Sequence, residues 1–480
     1  MATTAGEIFV VTSVGSGHLL PCIELCKLIS SRNVTATLVL PSNLLPSLPD
    51  DFHHHPFLRA APISAFRSGP PTPDQAQAQH QAGLDLQAHL SSHTPLCAII
   101  DFQVGWIRTI FSNSNVPIVS FFTFGACAAA MEWGAWKAGA GDVNPGEART
   151  VPGLPADMCV KYHDIHRRRG PAGPLGKGGH GAGPVPGQRP PWVQSIEGST
   201  GLMFNTCEEL ERPFLDYLAN QIGLPVWGVG PLLPEQYWNS LSGMVIRDRA
   251  IRQPKRQMGS SEEEVIEWLD SKPRGSVLYV SFGSEAGPTM EEYPQLASAL
   301  EESTHPFIWV IQPGSGLSNF SGSKHSSSGE SGTEEGFFPH GLASKVGDRG
   351  LIIKGWAPQL LILSHGSTGG FLSHCGWNST VEAIGLGVPF LAWPMRGDQI
   401  FNAKLVVDYL KIGYMALGEG SLDVQKKDIL EGMERLMGNL EIRRRAEVVR
   451  SKFEGGFPSS SLAALDAFRD FINQKRLTLE

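Results

Sequence analysis

Strand-like and helix-like segments alternate along this chain in two separate series, and that alternation restricts the fold more than any other feature. Such alternation implies parallel sheets with helices packed on their faces. The first series has a strand at 7–14, a helix at 18–31, a strand at 34–40, and apolar strands at 97–102 and 117–124. The second opens on Ser276-Val277-Leu278-Tyr279-Val280-Ser281-Phe282 and continues through a helix at 291–302 and a strand at 307–312. It then reaches a short buried strand, 369–376, that runs through a turn into a helix at 377–384. At 480 residues the chain exceeds what one core usually holds, so two doubly wound, Rossmann-like α/β domains of roughly 200 residues each are expected. Residues 1–245 form the expected first domain, 246–455 the second, and 456–480 end the protein with a helix of 3.6-residue periodicity over 462–472.

Three segments interrupt the pattern. The stretch 232–260 holds Pro234 and the run Arg252-Gln253-Pro254-Lys255-Arg256, which reads as an exposed linker. A Gly/Pro/Arg-rich stretch at 166–191 and a Ser/Gly-rich one at 314–335 cannot bury a core and read as mobile loops.

Charge and cysteine content narrow the function. A net charge of −8 argues against a nucleic-acid partner, which usually requires a basic excess. No run approaches the roughly 18 apolar residues of a membrane span, since Ser120, Thr123 and Gly125 break the candidate at 117–131. The apolar run Ile8-Phe9-Val10-Val11 has no basic region ahead of it and reads as a first strand, not a signal peptide. Seven scattered cysteines suit reduced core thiols, so a cytoplasmic location is expected. Cys22 and Cys26, four apart on a helix that also carries His18, mimic a metal site, but the apolar residues among them indicate ordinary packing and no metal is expected.

The window 356–399, WAPQLLILSHGSTGGFLSHCGWNSTVEAIGLGVPFLAWPMRGDQ, carries most of the chemistry. A nucleotide sugar presents a flat base, a ribose diol, a diphosphate and a polyhydroxylated ring, and each demands a different residue type. Trp356, beside the turn-forming Ala357-Pro358, offers a stacking face, and Gln359 can meet an amide-like base edge as donor and acceptor. Glu382, an acceptor-only carboxylate on a helix, can take both ribose hydroxyls. The strand-to-helix turn through Gly376 directs free N–H groups and the positive helix end at an anion, with His374, Asn378 and Ser379 as side-chain donors. Taken singly, Trp356, Trp377 and Trp393 would read as core aromatics and His374 as a buried histidine; their joint spacing favours the site.

Over its full 44 residues this window resembles the signature box of plant family 1 UDP-glycosyltransferases, enzymes of secondary metabolism with a GT-B fold. The resemblance implies UDP-glucose as co-substrate without a further cofactor, diphosphate contacts from His374, Asn378 and Ser379, and sugar contacts from Trp377, Asp398 and Gln399, the last favouring glucose. It implies two Rossmann-like domains facing across a cleft, acceptor in the first and donor in the second, with the last helix crossing back to the first. It further implies a donor contact from Ser284, at a strand exit, and one from Thr123, near the sugar.

The first domain has to supply a base. His18 follows the glycine turn Gly15-Ser16-Gly17 at a helix start, where the dipole disfavours imidazolium and leaves an imidazole able to accept a proton. Asp101 closes the strand Cys97-Ala98-Ile99-Ile100, where polar residues line a ligand crevice. In the resembled family these are the positions of the catalytic histidine and the aspartate that orients it. Position 20 is Leu, so no full G-x-G-x-x-G follows and a dehydrogenase is not expected.

The expected reaction is inverting, metal-independent transfer of glucose to a flavonoid, phenolic or terpenoid acceptor, through oxygen or carbon, by a monomer. The chain has no Asp-x-Asp motif, so helix and side-chain donors are expected to stabilise the diphosphate. A silent UDP-sugar-binding protein and a GT-B-type epimerase are the alternatives. The stretch 121–136 can either line a flat acceptor pocket or form a packing surface.

Overall fold

A computed structural model describes residues 6–66, 72–166, 187–241, 245–251, 259–284, 287–316, 336–418 and 423–477. Most of the two expected loops, and residues 242–244 and 252–258 of the stretch 232–260, lie outside those residues. The rest of that stretch is not the exposed linker expected, because it forms helices at Glu235–Ser240 and Asp248–Ile251 and buries Leu232, Tyr237, Trp238 and Ile246. By its internal contacts the chain divides into two compact units, one of 1–133, 189–234 and 457–480, the other of 134–188 and 235–456. The segment 134–188 therefore groups with the second unit, although it lies inside the first expected domain.

The first unit is built on seven parallel strands: β1 (Glu7–Val11), β2 (Thr35–Pro41), β3 (Leu58–Ile63), β4 (Cys97–Asp101), β5 (Ile118–Phe122), β6 (Gly201–Phe204) and β7 (Val226–Gly228). Their order is β3-β2-β1-β4-β5-β6-β7. Side chains alternate across the sheet with period two. Ile8 and Val10 accordingly enter one buried cluster with Cys22, Cys26 and Leu38, while Phe9 and Val11 enter another with Val39, Leu86 and Ile100. Cys22 and Cys26 are fully buried among apolar side chains.

The second unit repeats the plan with six strands, β8 (Val277–Ser281), β9 (Phe307–Ile311), β10 (Gly350–Lys354), β11 (Thr368–Ser373), β12 (Phe390–Ala392) and β13 (Gly413–Met415), ordered β10-β9-β8-β11-β12-β13 and all parallel. In both sheets the winding reverses beside the first strand, between β1 and β4 and between β8 and β11. A parallel sheet opens a crevice at the carboxyl ends of its strands where the winding reverses, and ligands bind there.

Seven helices matter for the site: α1 (Ser16–Ser30), α2 (Ala126–Lys137), α3 (Glu208–Ile222), α4 (Gln359–Ser364), α5 (Trp377–Gly385), α6 (Gln399–Lys404) and α7 (Ser459–Leu477). Strand β1 ends at Val11, earlier than expected, and α1 starts at Ser16, so His18 sits in the first turn of the helix. The terminal α7 returns to the first unit. It places Leu465, Phe468 and Ile472 in the β1–β2 core against Trp227, and Asp466 accepts from Arg32 Nε at 2.7 Å.

A buried ion cluster ties 134–188 to α6. Lys404, with its side chain 3% exposed, lies 3.1 Å from Asp164 and 2.9 Å from Asp408. Burial alone would neutralise the ammonium, but the two carboxylates outweigh it and hold its pKa above that of an ordinary lysine. Removing the cation would leave the buried Asp164 and the partly buried Asp408 carboxylates without it, the costly half of breaking a buried pair. Lys404→Met should lower the free energy of unfolding by about 3–5 kcal/mol. Lys345→Met, which breaks an exposed pair with Glu301, should cost no more than about 1 kcal/mol. Denaturant titration of the two variants checks this, and equal losses would contradict it.

Candidate active site

The first unit brings His18 and Asp101 together at its switch point. Asp101, fully buried at the end of β4, places Oδ2 2.6 Å from Nδ1 of His18. A carboxylate only accepts, so Nδ1 carries the proton and Nε2 keeps the lone pair. The aspartate is itself held. Its Oδ1 accepts from the Gln103 backbone N–H at 2.9 Å and its Oδ2 from that of Ser13 at 3.4 Å. Ser13 Oγ donates to Gln103 Oε1 at 3.3 Å, closing the loops after β1 and β4 around the pair.

Thr123, for which the resemblance implies a donor contact near the sugar, stands beside His18. It follows β5, is 5% exposed, and sets its Oγ1 3.2 Å from the same His18 Nδ1. The stretch 121–136 is mostly interior: Phe121 and Phe122 are fully buried, and Phe124 and Trp133 are 9% exposed. Phe122 stacks on Phe204 at 4.4 Å, and Trp192 donates to buried Glu132 at 2.6 Å. These contacts make the stretch a packing surface.

In the second unit the β11-to-α5 turn assembles the box residues. Cys375 adopts a positive φ of 60°, an uncommon conformation for a side-chain-bearing residue and one concentrated at functional turns. Gly376 caps α5 and has no side chain with which to satisfy the first-turn N–H groups. A Cβ on Gly376 would lie 2.5 Å from His374 Nε2, and one on Gly283 would lie 2.8 Å from the same atom. Glycine at both positions gives the imidazole its room.

His374 is neutral. Burial holds its pKa down at about 4, against the Ser281 backbone carbonyl, and Arg396 adds to the depression. Its Nδ1 is enclosed, with no partner at hydrogen-bonding geometry. Trp377 is 4% exposed and Ala357 5%, while Trp356, Asn378 and Ser379 are half-buried and Ser284 lies in the turn after β8. Trp393 is wholly in the core, edge-on to Phe282.

Gln359, at the start of α4, is a hub. Its Oε1 accepts from Tyr279 OH at 3.2 Å, and its Nε2 donates to Ser379 Oγ at 3.0 Å and to Glu382 Oε2 at 2.8 Å. Burial raises the Tyr279 pKa, which keeps that hydroxyl a donor. The carboxamide thus aligns two other box residues, a use beyond the expected contact with a base edge.

Asp398 and Gln399 open α6. Asp398 Oδ2 accepts from Asn402 Nδ2 at 2.7 Å, and Asn402 also donates to the Cys375 carbonyl at 3.0 Å. Gln399 Oε1 turns back to the N–H groups of Met395 at 2.9 Å and Arg396 at 3.0 Å. Asn402, Tyr279, Gln103 and Ser13 escaped the sequence reading. Only Asn402 carried a signal, being a polar residue one turn after Asp398 and set between Phe401 and Ala403. Among the described residues no group of three or more His, Cys, Asp or Glu side chains could hold a metal ion, and no helix is long and apolar enough to cross a membrane.

Two Rossmann-like sheets, each with polar residues gathered at its switch point, are the two halves of a GT-B fold. The same fold is found in TcCGT1 solved with UDP (TM-score 0.69, 24% identity, 98% of this chain and 99% of that one). It is found again in Glycyrrhiza uralensis UGT73P12 complexed with glycyrrhetinic acid 3-O-monoglucuronide (TM-score 0.75, 24% identity, 99% and 97%). The sequence model of the family described as UDP-glucoronosyl and UDP-glucosyl transferase matches residues 253–442. Scopoletin glucosyltransferase of Nicotiana tabacum is 30% identical over 98% of this chain and 94% of its own. UDP-glucosyl transferase 73M2 of Saponaria officinalis is 29% identical over 94% of each. The chain belongs to this family and is a plant UDP-glycosyltransferase.

The neutral His374 has a consequence for stability. An unfolded histidine titrates near 6.5 and the folded one near 4, so between those values the unfolded chain binds the proton and the native state does not. His374 therefore contributes stability above pH 6.5 that is lost as pH falls toward 4. His374→Gln should lose less stability than the parent between pH 7 and pH 5 by urea unfolding; equal losses would contradict the assignment.

Proposed function

We propose that this enzyme transfers glucose from UDP-glucose, with inversion, to a small aromatic or terpenoid acceptor, and that His18 is the general base. The observation that carries the reading is the 2.6 Å contact between His18 Nδ1 and the buried Asp101 carboxylate. It selects the tautomer whose Nε2 accepts a proton, and it stabilises the imidazolium that results. The acceptor O–H proton passes to Nε2 as its oxygen attacks the anomeric carbon. The bond from that carbon to the diphosphate oxygen breaks on the opposite face, and UDP leaves with the electron pair. Where the acceptor is a phenol, the same deprotonation also allows attack through the ortho carbon.

Donor recognition is assigned to the second unit. Trp356 stacks on the base beside Ala357 and Gln359, and Glu382 takes the ribose diol. The uncapped α5 N-terminus at Gly376, with His374, Asn378, Ser379 and Ser284, receives the diphosphate. Trp377, Asp398 and Gln399 address the sugar. A helix N-terminus with fixed donors stabilises charge building on a departing diphosphate, so activity should survive EDTA. The names of the relatives favour transfer over the silent-binder and epimerase alternatives. The cytoplasm and a monomeric state fit this reading.

Mass spectrometry of incubations with UDP-glucose and a panel of flavonoids, simple phenols and terpenoid alcohols tests it. A hexose-shifted product should form with the parent and fall by at least about a hundredfold with His18→Ala. Undiminished product from the variant would refute the base, and activity lost to EDTA and restored by magnesium would refute metal independence.

A further inference from the structure

The segment Asn205-Thr206-Cys207-Glu208-Glu209-Leu210-Glu211 has no part in the reading above, yet two of its side chains reach the loop that carries Thr123. Asn205, 1% exposed, donates from Nδ2 to the Thr123 carbonyl at 3.0 Å, while its Oδ1 accepts from the Leu232 N–H at 2.6 Å. Glu211, fully buried, accepts from the Ala126 and Cys127 N–H groups at 2.8 Å each, one on either carboxylate oxygen. Helix α2 has no acidic residue in its own first turn, so Glu211 satisfies two of its orphan donors from outside. Glu211 departs from helical dihedrals, with φ −134° and ψ 24° inside α3, two residues before Pro213. Burial lifts its pKa to about 7 against its hydrogen bonds. Enclosing a carboxylate at that cost is unnecessary for a helix cap that a serine would supply at the preceding position.

We propose that Glu211 and Asn205 are positioning residues for the base: gripping the loop between β5 and α2 at both ends, they hold Thr123 against the His18 imidazole. The five residues from Thr123 to Cys127 are fixed at the first carbonyl and at the last two N–H groups, and Thr123 Oγ1 meets Nδ1 3.2 Å away. With Asp101 on one side and Thr123 on the other, the ring is set in orientation as well as tautomer. The inference rests on His18 being the base.

The test is steady-state kinetics of the full chain, with kcat and KM for UDP-glucose and acceptor, for Glu211→Gln, Thr123→Val, the double variant and His18→Ala. The amide of Gln turns an N–H against one of the two backbone donors, so Glu211→Gln should lower kcat about 10-fold, as misplacement of a catalytic group does. KM for UDP-glucose should stay within about twofold, because the donor residues lie in the other unit. Thr123→Val should lower kcat to a similar degree, and the double variant should be no worse than the poorer single one within about threefold, the mark of one shared path. If Glu211→Gln does not fold, Asn205→Asp, which replaces the donor to the Thr123 carbonyl with a second acceptor, should give the kcat loss. Unchanged kcat in the folded variant, multiplicative losses in the double variant, or a loss confined to melting temperature would overturn the proposal while His18→Ala remains inactive. An active His18→Ala would instead overturn the base reading on which it stands.

Discussion

A parallel sheet leaves room for a ligand where its winding reverses, because the two connections flanking that point depart to opposite faces and leave the strand ends uncovered between them. Both sheets here reverse beside their first strand, and everything polar that matters follows from that. His18 comes from the connection after β1 and Asp101 from the end of β4, its neighbour in the sheet but 83 residues on in sequence. In the second unit Ser284 follows β8, and His374 follows β11, again adjacent strands. The aliphatic strands hold these ends in register, so the geometry of the base pair is inherited from burial of residues such as Val10 and Ile99.

The two histidines at these switch points are handled differently. His18 is 17% exposed and paired with a carboxylate, an arrangement that would suit the proposed general base. His374 is also only half-buried, but its Nδ1 is enclosed and desolvation lowers its pKa, which disfavours the charged form. Two enclosed charged side chains are answered locally: Lys404 by Asp164 and Asp408, Glu211 by two backbone N–H groups of α2.

Much of this was legible in the sequence because it rests on local patterns. Alternating segments announced two Rossmann-like units, and strand-turn-helix punctuation placed His18 and the 374–382 cradle at strand exits. What escaped depends on long-range closure. Nothing near Gln359 shows that Tyr279, 80 residues earlier, will donate to it. Nothing near Thr123 shows that it will face His18, 105 residues away. The grouping of 134–188 with the second unit was equally hidden, since the buried pair of Asp164 with Lys404 that helps to tie it there joins residues distant in sequence.

The central claim is that Asp101 holds His18 in the tautomer with Nδ1 protonated and Nε2 unprotonated. Nitrogen-15 NMR of protein labelled in its histidine rings, with His18→Gln used to assign the resonance, reads this directly. The account predicts at pH above the imidazole titration a protonated Nδ1 and an unprotonated Nε2, and collapse of that preference in Asp101→Asn. A protonated Nε2 in the parent would contradict it.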